Sequence, residues 1–222
     1  EVLWSKLLAF VFGNSTSATA AVLAAFMGGL AIGSFLAGHL VSKWKRLIVS
    51  YGAIEGAVGI YCMALPWLIK AARPLLSMAY TQDGGAWYFG SLRLLLMLSL
   101  LLIPSTLMGM TFPILGEHFA RREERSGRFI GLLYGLNCFG AVAGALASSF
   151  ILIPSLGLLG TTMAAGLLNM AIFASTFYLE DGEKKAKSKS AKKSKKADLG
   201  PPIDAVQHAL LAIFVLAGVA SM

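Results

Sequence analysis

"ATAAVLAAFMGGLAIGSFLAGHLVSKWKR", residues 18–46, decides which solvent this chain folds in. From Ala18 to Val41 there is no Asp, Glu, Lys or Arg, and then Lys43, Lys45 and Arg46 follow closely. As a helix the uncharged run is about 36 Å long, enough to cross a hydrocarbon core of about 30 Å. A helix uncharged all round is buried in lipid or in a large protein core, not laid on a soluble domain. Composition says the same of the whole chain: 57% of residues are apolar and only 14% charged. Soluble domains carry about 25% charged residues, so a water-facing surface cannot be covered here.

Similar runs lie on both sides. Upstream, Val2–Phe12 is apolar but too short to span alone, and Gly13–Ser17 reads as a turn or helix cap. Downstream come runs from about Leu47 to Ile69, Leu92 to Leu115, Phe129 to Ile153 and Leu158 to Leu179. A wetter loop is expected over Lys70–Tyr88, and a tight turn at Pro154-Ser155-Leu156-Gly157. Residues 180–204 are rich in Lys and Ser and read as a disordered linker. A further apolar run begins at Ala205 and reaches Met222. The fold expected is all-α, a polytopic bundle of about six spans over residues 1–179, the first of them cut short, then the linker and the start of a seventh span over 205–222.

The net charge of +8 is local. Eight lysines between Lys184 and Lys196 account for it, without the aromatic or folded support that a nucleic-acid surface needs. If helices alternate in direction, the loops after Val41, around Arg121–Arg128 and after Leu179 share one side, and their excess of basic residues makes that side cytoplasmic. Trp67, Trp87 and Tyr88 then fall near the outer boundary as interface anchors. The expected location is a bacterial inner membrane.

Ionisable groups inside a bilayer cost about 2.5–3.5 kcal/mol each on insertion scales, so they are functional candidates. Glu1, Glu55, Asn137 and Asn169 fall at similar depth near mid-membrane, with Lys6 somewhat nearer the outside. They are the candidates for a polar site in which carboxylates bind a cation or exchange a proton. The structural alternative is a Glu–Lys pair with interhelical amide bonds. Small residues recur at four-residue spacing, Gly29 and Gly33 in one run and Gly131, Gly135, Gly140 and Gly144 in another, a pattern that admits close helix approach. Pro104 and Pro113 mark kinks in the run between them. Cys62 and Cys138 read as small apolar residues, and no metal cluster, nucleotide loop or catalytic triad is evident.

Three blocks carry a resemblance: "EVLWSKLLAFVFGNSTSATAAVLAAFMGGLAIGSFLAGHL" (1–40), "PSTLMGMTFPILGEHF" (104–119) and "GLLYGLNCFGAVAGALASSFILIPSLGLLGT" (131–161). They resemble the membrane part of bacterial spermidine-synthase-like proteins, in which a major-facilitator-like bundle is fused to a soluble aminopropyltransferase-like domain. The family usually has arginine where Lys6 stands. "GSFLAGHLVSKWKR" is similar to a degenerate major-facilitator loop motif that lacks its usual aspartate. "HALLAIFVLAGVASM" looks like the segment that precedes the Glu-Val-Leu-Trp block, so the resemblance implies that the chain continues at both ends and that its last run opens a second bundle. It also implies that any aminopropyltransferase site lies outside these residues, and this chain needs no cofactor of its own. The expectation is a transporter-like module moving polyamines or other organic cations. The alternative is a non-transporting anchor or scaffold, or an accessory subunit. Its partners are the bilayer and either a second bundle and soluble domain of the same chain or other membrane subunits.

Overall fold

The structure, a computed structural model, describes residues 16–81, 85–121, 126–193 and 205–220. Glu1, Lys6 and the first apolar run lie outside them. The described residues are helical, with no strand among them. Helix α1 is Thr16–Leu40, followed by a 3-10 turn Val41–Lys43; α2 is Leu47–Thr81, α3 Gly85–Ala120 and α4 Ser126–Ala147. A π-helical segment, Ser148–Leu152, links α4 to α5, Ile153–Lys193, and α6 is Ala205–Ala220.

Four stretches are long and apolar enough to cross a membrane: Thr19–Lys43, Leu47–Ala72, Leu94–Ala120 and Ile130–Glu180. The fourth has 51 residues, about 77 Å if straight. It is not straight, because Gly157 breaks it with φ 71°. Only glycine adopts that conformation readily, which accounts for the break falling at the expected turn.

Pairs of facing residues give the direction of each helix. Gly29 and Gly33 of α1 lie against Ser105 and Thr106 of α3, so these two run parallel. Gly52, Gly56 and Gly59 of α2 meet Thr176, Phe173 and Gly166 of α5, so these run antiparallel. Tyr61 of α2 reaches Leu100 of α3, and Arg121 just past the end of α3 reaches Trp44 just before α2, so α2 is antiparallel to α3 as well. Phe112 of α3 touches Tyr134 of α4 across the α3–α4 turn. Direction therefore alternates along the chain, and the basic residues Lys43, Lys45, Arg46 and Arg121 gather at one end.

Two prolines shape the packing of α3. The helix runs through Pro104 and Pro113, but proline has no N–H, so the carbonyls of Leu100 and Gly109 lose their helical donors. Each is satisfied from a neighbour. Tyr61 Oη of α2 donates to Leu100 O at 2.8 Å, and Ser34 Oγ of α1 donates to Gly109 O at 3.0 Å. In hydrocarbon an unmet carbonyl is costly, so the prolines pin α3 between α1 and α2.

Two boundaries differ from the expectation. The stretch expected as a wet loop, Lys70–Tyr88, is helical as far as Thr81 and again from Gly85. Ala, Leu and Met around Pro74 favour helix whether or not lipid surrounds them, so the helix outlasts the apolar run. For the same reason, Lys, Ala and Glu carry α5 past Glu180 to Lys193, so the first part of the expected disordered linker is helical backbone.

Candidate functional site

Glu55 lies in the third turn of α2, about 12 Å from Leu47 along the helix axis. It is only 6% exposed. Along α2 its neighbours one turn away are Tyr51 and Val58, each buried in one of two apolar clusters, the first with Ile54, Leu115 and Phe214 and the second with Cys62 and Leu101. No ion pair to Glu55 is present among the described residues. Helical side chains lean toward the helix N-terminus, which brings the Glu55 carboxyl over Tyr51, one turn earlier. The Tyr51 hydroxyl approaches that carboxyl but does not complete a hydrogen bond of good geometry.

The glycine face of α2 holds this carboxyl deep in the bundle. At Gly52 a Cβ would overlap the Thr176 side chain, and at Gly59 it would stand 2.9 Å from the Gly166 carbonyl oxygen and 3.0 Å from Asn169 Cβ. Without side chains on that face α2 presses onto α5, and Glu55, beside it, is carried inward. This Gly52–Gly56–Gly59 face is absent from the glycines singled out in sequence. Its signal was there in the i, i+4, i+7 spacing around a lone carboxylate.

Asn169 of α5 lies against Gly59, one turn beyond Glu55, at 1% exposure, and its Oδ1 has no hydrogen-bond partner among the described residues. It shares the α2–α5 seam with Glu55 but leans the other way, since α5 runs antiparallel to α2. Asn137 sits elsewhere. Its backbone oxygen is 2.7 Å from where a Cβ on Gly218 would be, at the α4–α6 crossing. Glu1 and Lys6 are outside the described residues.

The small residues divide by face. Gly29 and Gly33 are pressed on α3, and Gly140 on Val215 and Gly218 of α6. Gly144 is buried. At Gly131 and Gly135, however, a Cβ would meet nothing within 4 Å. Five residues separate Gly135 from Gly140, about 140° around the helix at 3.6 residues per turn, so the two pairs look in different directions, and among the described residues only one meets a neighbour. Pro104 and Pro113 act through the freed carbonyls described above. Among the described residues no group of three or more His, Cys, Asp and Glu is placed to hold a metal ion.

What sequence reasoning missed is a row of rings leading from Glu55. Tyr51 and Phe214 have centroids 6.3 Å apart, Phe214 and Phe112 6.3 Å, and Phe112 and Tyr134 6.1 Å. The row crosses α2, α6, α3 and α4. It starts at fully buried Tyr51 and ends at Tyr134, which is 62% exposed.

Comparison with known proteins gives distant relatives. A polyamine aminopropyltransferase 2 of Streptomyces coelicolor is 29% identical over 174 residues, which cover 76% of this chain and 29% of that protein. Two proteins of Ralstonia nicotianae, polyamine aminopropyltransferases 1 and 2, are each 24% identical over 178 residues, 80% of this chain. The chain thus spans less than a third of the length of the curated relatives it matches. No family model matches the chain, and no solved structure matches it.

Proposed function

We propose that these residues form the membrane-embedded part of a longer polyamine-aminopropyltransferase-like protein, and that this part binds an organic cation and moves it across the bacterial inner membrane. On this reading the helices are one half of a transporter-like, major-facilitator-like bundle. The 51-residue stretch crosses twice, turning at Gly157, and the basic end faces the cytoplasm. The observation that carries the proposal is Glu55, a carboxyl 6% exposed inside an apolar helix, with no cationic partner among the described residues. An uncompensated charge there is unfavourable by several kcal/mol. With Lys6 outside the described residues, we read the carboxyl as holding a proton or a cation rather than a lysine, and alternation between the two is the chemistry of coupled transport. The relatives are named for polyamines, which favours a polyamine as the cation.

Flux of radiolabelled spermidine into proteoliposomes containing the full-length protein tests this. Saturable flux that Glu55→Gln abolishes, in a variant that elutes and melts like the parent, is the expected result. Flux equal in parent and variant, or none in either, rejects transport through Glu55.

A second reading is a membrane anchor for an enzymatic remainder. The small share of each relative that is matched favours it, because those relatives are named for an aminopropyl-transfer activity. It is supported if flux is absent while removal of the helices releases an active soluble fragment.

A further inference from the structure

We infer that the Glu55 site takes the alkylammonium end of its cation, and that the ring faces of Tyr51, Phe214 and Phe112 share in holding it. This rests on the cation-binding reading above and narrows it. A lone carboxylate does not distinguish a proton, a metal ion and an amine; its surroundings do. Hard metal ions require several oxygen ligands. Among the described residues no group of three or more His, Cys, Asp and Glu is placed to hold a metal ion, and the polar group that approaches Glu55 is the Tyr51 hydroxyl, from which the row of rings begins. That environment is poor for a metal ion. It suits an ammonium group, which binds one carboxylate and the negative face of a ring, and whose alkyl chain is compatible with apolar walls.

The rings are arranged for this. Glu55 leans toward Tyr51, and Phe214 stands against Tyr51 at 57° between ring planes. Phe112 continues the row at 38° and Tyr134 closes it edge-on at 85°. The same rings are the contacts by which α6 approaches α2 and α3. Ordinary core packing needs apolar volume at Phe214, whereas the inferred role needs a π-face there, and the two are separable.

Equilibrium binding of radiolabelled spermidine to the full-length protein in nanodiscs makes the test, with Glu55→Gln defining the component that belongs to this site. Binding that survives Glu55→Gln, as at a soluble catalytic domain, is subtracted. Phe214→Leu keeps apolar volume and removes the ring; it is expected to weaken the Glu55-dependent component about tenfold. Phe214→Tyr keeps the ring and is expected to stay within about twofold of the parent. Equal affinity in Phe214→Leu and the parent, or equal losses in Phe214→Leu and Phe214→Tyr, overturns the ring assignment while leaving Glu55 in place. If Phe214→Leu does not fold, Phe112→Leu with Phe112→Tyr supplies the same comparison. If parent and Glu55→Gln bind alike, no cation is held at Glu55, and the ring assignment falls together with the reading it rests on.

Discussion

Arg121 belongs to a run, Arg121–Arg125, that sequence treats as loop charge setting orientation. Its guanidinium does more. Nη1 donates to Trp44 O at 3.0 Å, Nη2 to Val41 O at 3.1 Å and Ser42 O at 2.9 Å, and Nε to Glu117 Oε1 at 2.8 Å. Val41 O also accepts the Trp44 N–H at 3.1 Å, carbonyls past a helix C-terminus in general lack α-helical donors, and the negative end of the helix dipole favours a cation there. One planar fork thus ties the α1–α2 turn to the end of α3. Lysine has the charge without the fork. Arg121→Lys is expected to destabilise the protein by on the order of 1 kcal/mol, the modest scale of an exposed charge-assisted cluster, and Arg121→Ala by more. Thermal melts in detergent check this, and a lysine variant as stable as the parent would show that charge alone suffices. Glu55 was legible as a candidate because a carboxylate inside an apolar run is conspicuous. Tyr51, Phe214 and Phe112 were not, because an aromatic residue in a membrane helix carries no sign of which neighbour it faces.

At the scale of the helix, spacing tells which residues share a face but not whether that face meets anything. Gly33 and Gly131 look alike in sequence, each within a small-xxx-small pattern. A Cβ on Gly33 would overlap the Thr106 carbonyl, which is backbone and cannot swing away, whereas a Cβ on Gly131 would meet nothing within 4 Å among the described residues. Gly33→Ala is expected to destabilise by about 1–3 kcal/mol through overpacking. Gly131→Ala is expected to be neutral or stabilising by up to about 1 kcal/mol, since alanine favours helix over glycine. Melting of the two variants side by side decides it, and equal shifts would contradict the packing described. The prolines give a sharper test of a pair. Tyr61→Phe leaves the Leu100 carbonyl without its donor and is expected to be destabilising by on the order of 1 kcal/mol. In a Pro104→Ala background α3 supplies its own N–H to that carbonyl, so the same Tyr61→Phe change should lose most of its effect. A double-mutant cycle reads the difference, and additive effects would mean that the Tyr61 hydroxyl does not answer Pro104. Counting back four residues from a proline locates a freed carbonyl in any sequence. Only the fold says that Tyr61 or Ser34 lies within reach.

The whole molecule raises the question of how often the chain crosses. Apolar length alone marks Ile130–Glu180 as one stretch, because nothing charged interrupts it. The break inside it was legible from Pro154–Gly157, where proline and glycine together mark a turn, and Gly157 with its positive φ is where the helix stops. The length of α5 was not legible, since the Lys-rich composition that reads as a solvated linker is also compatible with helix. Reversal at Gly157 has a consequence for distant residues. From Ser42 the chain passes along α2, α3 and α4 to reach Ser155, then back along α5 to Ser188. Two crossings by the long stretch therefore put Ser42 and Ser188 on one side of the membrane and Ser155 on the other. A single crossing puts Ser42 and Ser188 on opposite sides. Single cysteines at these three positions, in a background with Cys62 and Cys138 replaced by alanine, can be labelled with an impermeant maleimide in intact cells and again after permeabilisation. The expected pattern is Ser155→Cys labelled in intact cells, with Ser42→Cys and Ser188→Cys labelled only once the cytoplasm is opened. Labelling of Ser188→Cys from outside, with Ser42→Cys still protected, would mean that Gly157 bends the helix without turning it back. The α2–α5 seam that buries Glu55 and Asn169 needs α5 to run back beside α2, so this outcome would remove the candidate site along with the topology.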